Sequence, residues 1–161
     1  MVKQQIRDYW RLFCSLLFSF LYAPHLLIVI IMDKKMIFSD ILRMRTHEHI
    51  KLGKWTGLIF FLHTNSYFRT LFYHRIGAIP ATLIGWYRPG NRYFTISFTT
   101  KIGAGMLLSH PYATILNAES IGENFSCIHC TTLGAKSNGR PVIGDNVSCL
   151  LYTSPSPRDT R

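Results

Sequence analysis

Two histidines and two cysteines share one glycine-punctuated stretch, and their types and spacing could do chemistry. His110 and His129 lie 19 residues apart, and Cys127-Ile128-His129-Cys130 has the C-x-x-C spacing of metal and redox sites. An imidazole can take a proton from a hydroxyl at neutral pH. A pair of thiolates could hold a metal. Which chemistry is available depends on where the backbone points each side chain.

The backbone direction follows from a repeat. An aliphatic residue followed by Gly recurs at Ile102-Gly103, Ile121-Gly122, Leu133-Gly134 and Ile143-Gly144, with spacings of 19, 12 and 10. A period near six is the signature of a solenoid built from short flat strands, three to a coil. With the first and fifth residues of each six inward, Ile102 and Met106 point in, then Leu108 and Tyr112, Ile121 and Phe125, and Cys127 and Thr131. Leu133 follows, residues 135–141 protrude as a loop, and Ile143 and Val147 resume the pattern. This register turns Cys127 inward and Cys130 outward, so the two thiols neither share a metal nor pair readily. It also sets His110 and His129 on one outer face, one rung or about 4.8 Å apart.

The segments before the solenoid must position it. Residues 3–12 are basic with interleaved aromatics and lead into Phe13 to Met32, twenty residues without a charge. That length suffices for a bilayer, but Pro24 is expected to split it into two short helices that are buried or lie at a membrane interface. Met36, Ile37, Ile41, Leu42 and Met44 pattern a short amphipathic helix over residues 36–46. Gly53 and Gly57 bracket a loose apolar stretch, Trp55 to Leu62. Asn65-Ser66 is a candidate N-cap for a helix from Tyr67 to Ile76 that Gly77 can end. Its apolar face is Phe68, Leu71, Phe72 and Ile76, with Arg69 and Arg75 off that face. Pro80, Pro89 and Gly90 then break the chain, and β-branched and aromatic residues from Tyr93 to Thr100 begin the strands. The expected fold class is α+β: a helical region at 1–90, then a truncated left-handed parallel β-helix at 91–148.

Charge separates the two parts. Residues 1–101 hold 14 Lys/Arg against 4 Asp/Glu, a net +10 that equals that of the whole chain. Basic residues beside long apolar runs suit an anionic membrane surface better than nucleic acid. No base-reading helix or zinc-finger spacing is present. Four cysteines in 161 residues are too few for a disulfide framework, and no cleavable signal is evident. The expectation is a cytoplasmic protein with peripheral membrane contact through its N-terminal region.

Residues 102–122, 124–134 and 141–147 together resemble the serine acetyltransferases and the related polysaccharide-biosynthesis acetyltransferases. These are hexapeptide-repeat, left-handed β-helix acyltransferases. The likeness covers residues 93–148, and the helix from Asn65 to Gly77 resembles the one that precedes the β-helix in shorter members. The resemblance implies acetyl-CoA as co-substrate, no metal, and a homotrimer. It implies that His110 is the general base in direct transfer to the hydroxyl of a small acceptor. Ser109, His129, Thr95 and Arg140 fall at substrate-binding positions, and each departs from the family pattern. Thr95 stands where an aspartate orients the base, and Ser109 replaces a second acidic residue. Arg140 stands in place of a histidine, and His129 in place of a glutamine. These departures weaken serine as acceptor and bring in a sugar hydroxyl of a surface polysaccharide as the alternative.

Cys149 to Asp159 matches, over eleven residues, a translated sequencing-library adapter, so residues 149–161 are set apart from the fold. The expectation is a solenoid of barely two coils, unstable and inactive as it stands. The coenzyme A contacts would then lie in coils beyond it. Two further readings compete with acyl transfer. One is a zinc-dependent solenoid enzyme that uses the stacked histidines, and the other is a non-catalytic membrane-associated assembly protein.

Overall fold

Asn65 and Gly77 bound the helix that joins the two parts of the chain. The Asn65 side chain accepts hydrogen bonds from the backbone N–H groups of Tyr67 and Phe68, both at 3.0 Å, and Gly77 ends the helix at φ +87°. The computed structural model describes residues 2–150 apart from 136 and 138, with backbone alone for residues 2–6 and 8. The helices are α1 (Val2–Leu17), α2 (Ala23–Ile31), α3 (Lys35–His47), α4 (Lys54–Thr64), α5 (Ser66–Ile76) and α6 (Ala78–Gly85), with a 3-10 turn at Ser19–Tyr22. Residues 151–161, which hold most of the adapter-like segment, lie outside the described residues.

Two prolines behave differently from expectation. Pro24 does not split a helix; it sits in the first turn of α2, where its missing N–H costs nothing. The break in the apolar run falls earlier, at the 3-10 turn. Pro80 likewise lies in the first turn of α6, so a helix stands where the sequence predicts broken chain. Among the described residues no single helix is long and apolar enough to cross a membrane.

Nine two- or three-residue strands follow among the described residues: β1 (Phe94–Ile96), β2 (Lys101–Ile102), β3 (Leu107–Leu108), β4 (Thr114–Leu116), β5 (Ser120–Ile121), β6 (Ser126–Cys127), β7 (Thr132–Leu133), β8 (Val142–Ile143) and β9 (Ser148–Cys149). They pair in parallel as β1-β4-β7, β2-β5-β8 and β3-β6-β9, so each face of a three-sided solenoid has three rungs. This corrects the expectation of barely two coils. Strand β9 also carries the ladder one residue past the expected boundary at 148, because Cys149 falls six residues after Ile143 and pairs with Cys127.

Ile102, Met106, Leu108, Ile121, Phe125 and Cys127 are buried in the solenoid, as the register requires, and Cys130 is exposed. Burial, with Cys149 alongside, pushes the Cys127 thiol up to about 12, which leaves it unreactive. Tyr112 departs from the register. It is 51 % exposed, because the corner before β4 holds two more residues than the corner below it. Leu108 to Ile115 spans seven positions, whereas their partners Cys127 to Thr132 span five. A column of glycines marks another corner. A β-carbon on Gly103 would stand 2.6 Å from the backbone of Gly122, and one on Gly122 would stand 2.6 Å from the backbone of Gly144.

Helix α5 faces both ways. Phe68, Phe72 and Ile76 join the core of the helical layer, while Leu71 closes the end of the solenoid core. The Arg75 side chain is buried against Asp40 of α3, with Nε to Oδ2 at 2.9 Å and Nη2 to Oδ1 at 3.1 Å. Burial pushes the Asp40 carboxyl above its usual range, against the opposing pull of Arg75.

A second polar cluster lies deep in the helical layer. His25 is fully buried, with Nε2 3.1 Å from the Tyr73 hydroxyl and Nδ1 3.3 Å from that of Tyr87. Burial, helped by Arg69 and Arg88, lowers its pKa from 6.5 to about 4. The folded state therefore holds His25 neutral while the unfolded chain takes up a proton below pH 6.5. Stability is complete above that pH and falls as pH drops from 6.5 to about 4, by about 3 kcal/mol in total at 1.36 kcal/mol per pH unit. Urea unfolding at pH 7 and pH 4.5 measures this, and His25→Phe flattens the dependence across that window.

Candidate active site

His110 follows β3, whose last hydrogen bond runs from the Ser109 N–H to the Cys127 carbonyl at 3.1 Å. The chain then turns sharply, with His110 at φ +52° and Ala113 at φ +53°. That region disfavours most side-chain-bearing residues and admits histidine more readily than most. Three contacts hold the corner. The Tyr112 N–H donates to the His110 carbonyl at 2.7 Å, and the Cys130 N–H donates to the Tyr112 carbonyl at 2.8 Å. The Tyr112 ring lies 5.0 Å from that of Tyr93.

The corner opens on a cleft of about 530 Å³ between the solenoid and the helical layer. Leu108, Ser109 and His110 form the solenoid wall. The opposite wall comes from α1 with Arg7 and Arg11, from the C-terminal end of α3 with His47 and its cap Glu48, and from the α4–α5 junction with Asn65 to Tyr67. Arg11 is held there by its guanidinium, 5.6 Å above the Phe60 ring. The cleft thus combines two imidazoles, two guanidiniums, the Glu48 carboxylate and several neutral hydrogen-bonding groups.

Of the residues singled out in sequence, the structure brings Ser109 and His110 together at the cleft. His129 is exposed one rung away by the nineteen-residue ladder, but it does not line the cleft. The corner of His110 carries the two extra residues, so the two corners are shaped differently. Thr95 lies on the exposed side of β1, paired with Ile115. Arg140 precedes β8 and hydrogen-bonds the Thr99 hydroxyl, at the corner between β1 and β2. Arg7, Arg11 and His47 were not foreseen, because they come from helices far away in sequence. The one signal pointing to them was the four-residue spacing of Arg7 and Arg11, which places both on one helix face. Among the described residues no group of three or more His, Cys, Asp or Glu is placed to hold a metal ion.

A helical layer set against a three-sided parallel solenoid defines the architecture of this chain. The solved structures that share it include serine acetyltransferases. One is serine acetyltransferase from Neisseria gonorrhoeae in complex with serine, at 21 % identity and TM-score 0.56, covering 79 % of this chain and 56 % of that one. Another is serine acetyltransferase isoform 3 from Entamoeba histolytica in complex with cysteine, at 18 % identity and TM-score 0.51, covering 74 % of this chain and 46 % of that one. The likeness is one of fold, and the chain spans about half the length of these enzymes. No protein-family model and no curated protein sequence matches the chain.

Proposed function

We propose that this chain belongs to an acetyl-CoA-dependent O-acetyltransferase with His110 as general base. The observation that carries the reading is the exposed imidazole of His110 at the mouth of the 530 Å³ cleft, on a fold shared with serine acetyltransferases. The acceptor hydroxyl gives its proton to His110 as its oxygen attacks the thioester carbonyl. The thiolate of coenzyme A then leaves and recovers that proton. No covalent intermediate on the protein is needed. The solenoid is read as a left-handed β-helix, and the assembly as a homotrimer.

Serine is the first acceptor by likeness of fold. The cleft itself favours the second reading, a sugar hydroxyl. Its volume is in the range that encloses drug-sized ligands. Ser109 supplies no carboxylate on the solenoid wall, and the carboxylate that lines the cleft, Glu48, comes from the opposite wall. Coenzyme A release by the longest reading frame carrying residues 1–148, offered serine and then hexose acceptors in turn, decides between them. Turnover with serine supports the first reading and turnover with a hexose alone supports the second. No release with either sinks both.

A further inference from the structure

Three helices turn their apolar stripes outward. On α1, Leu12 and Ser15 face the helical layer, while Trp10, Phe13 and Leu17 are exposed at i, i+3 and i+7. On α2, His25 and Val29 are fully buried, while Leu27, Ile30 and Ile31 are exposed, Ile31 at 75 %. Helix α6 packs on α2 and exposes Ile79, Leu83 and Trp86 at i, i+4 and i+7, Trp86 at 80 %. Phe20 in the 3-10 turn adds another exposed ring. On α2 and α6, which pack together, exposed apolar side chains gathered in this way mark a binding face rather than scattered surface residues, and the stripe of α1 adds to the apolar surface of the same layer.

The rim of this surface is basic. Past the end of α2, Lys34 stands 5.7 Å over the Trp55 ring, and Lys35 and Lys54 line one hollow beside it. Asp33 is the acidic neighbour, and its carboxylate accepts the Lys35 backbone N–H at 3.0 Å. We propose that this face docks on a lipid bilayer rich in anionic headgroups, with α1, α2 and α6 lying in the headgroup plane. Lysines complement anionic headgroups, and exposed Trp, Tyr and Phe are the side chains that the interfacial zone accommodates. The helices lie on the bilayer and do not cross it, because the inner face of α2 is committed to the helical layer. His25 is hydrogen-bonded there to Tyr73 and Tyr87, and Val29 has no exposed surface.

Vesicle flotation tests this independently of any enzymatic reading. The protein is expected to float with vesicles containing phosphatidylglycerol, and to do so less well with pure phosphatidylcholine or at high salt. The triple variant Ile31→Ser, Leu83→Ser, Trp86→Ser is expected to weaken binding at least about tenfold. Lys35→Gln with Lys54→Gln is expected to weaken binding to anionic vesicles by about thirtyfold, near fivefold for each charge. All five positions are on the surface, so both variants should keep the melting temperature of the unaltered protein. Flotation that ignores vesicle charge and survives both sets of changes overturns the proposal. A triple variant that changes the mass measured by light scattering without lipid, while vesicle binding stays unaltered, also overturns it by assigning the face to a second copy of the chain.

Discussion

With His110 as the proposed general base, His110→Ala is expected to lower acetyl-CoA-dependent coenzyme A release by about 10²- to 10⁴-fold, the range for loss of a positioned base. The loss should fall on kcat, because the imidazole acts as the proton moves and not in holding the acceptor in the ground state. His110→Asn is the sharper control. The backbone at this position sits at φ +52°, and asparagine tolerates that region about as well as histidine does. The asparagine variant would keep the corner and its two tyrosine contacts while removing the base, so both variants should be equally slow. His129→Ala should change the rate little, because His129 does not line the cleft of its own chain. If both His110 variants kept rates within about threefold of the parent, the base would have to be sought elsewhere.

The largest effect on stability is expected at the Asp40–Arg75 pair. The Arg75 guanidinium bonds the Asp40 carboxylate, the Ile102 carbonyl at 2.5 Å and the Gly103 carbonyl at 2.7 Å, with the Met36 sulfur at 3.5 Å. Asp40 also accepts the Met106 backbone N–H at 2.7 Å. Arg75→Ala leaves a buried carboxylate without its cation and should cost about 3–5 kcal/mol, read as a fall in the urea midpoint. Asp40→Ala should cost a similar amount. Asp40→Leu with Arg75→Met should cost less than the sum of the two single changes, because neither charge is then left alone. A single change worth less than about 1 kcal/mol would mean that the pair is not coupled to folding.

How much of this was legible in the sequence differs between the two parts. The solenoid could be read because each aliphatic-Gly pair reports its own position in a coil, so Cys127 inward and Cys130 outward followed from counting. Tyr112 could not be read, because corners absorb extra residues without disturbing the faces, and no local signal gives the size of a corner. The cap and stop of α5 were visible in Asn65 and Gly77, since capping is decided within four residues. The burial of Arg75 was not visible, because it depends on an aspartate 35 positions away. The same holds for the site. His110 was legible as an outward position from the repeat and Ser109 through the family resemblance, whereas Arg7, Arg11 and His47 reach the cleft only through packing between helices and solenoid.

The way α3 and α5 meet the first coil has a consequence for assembly. A stack of parallel strands ends in a row of backbone groups that invite another strand. Here several of those groups already have side-chain partners. His74 lies 3.0 Å from the Thr100 carbonyl, Arg75 takes those of Ile102 and Gly103, Arg43 takes that of Gly105, and Asp40 takes the N–H of Met106. The helical layer thus works as a stopper for strand stacking. A foreign strand could join this edge only by first displacing two guanidiniums and a carboxylate, so uncontrolled end-to-end growth into fibres is blocked from this side.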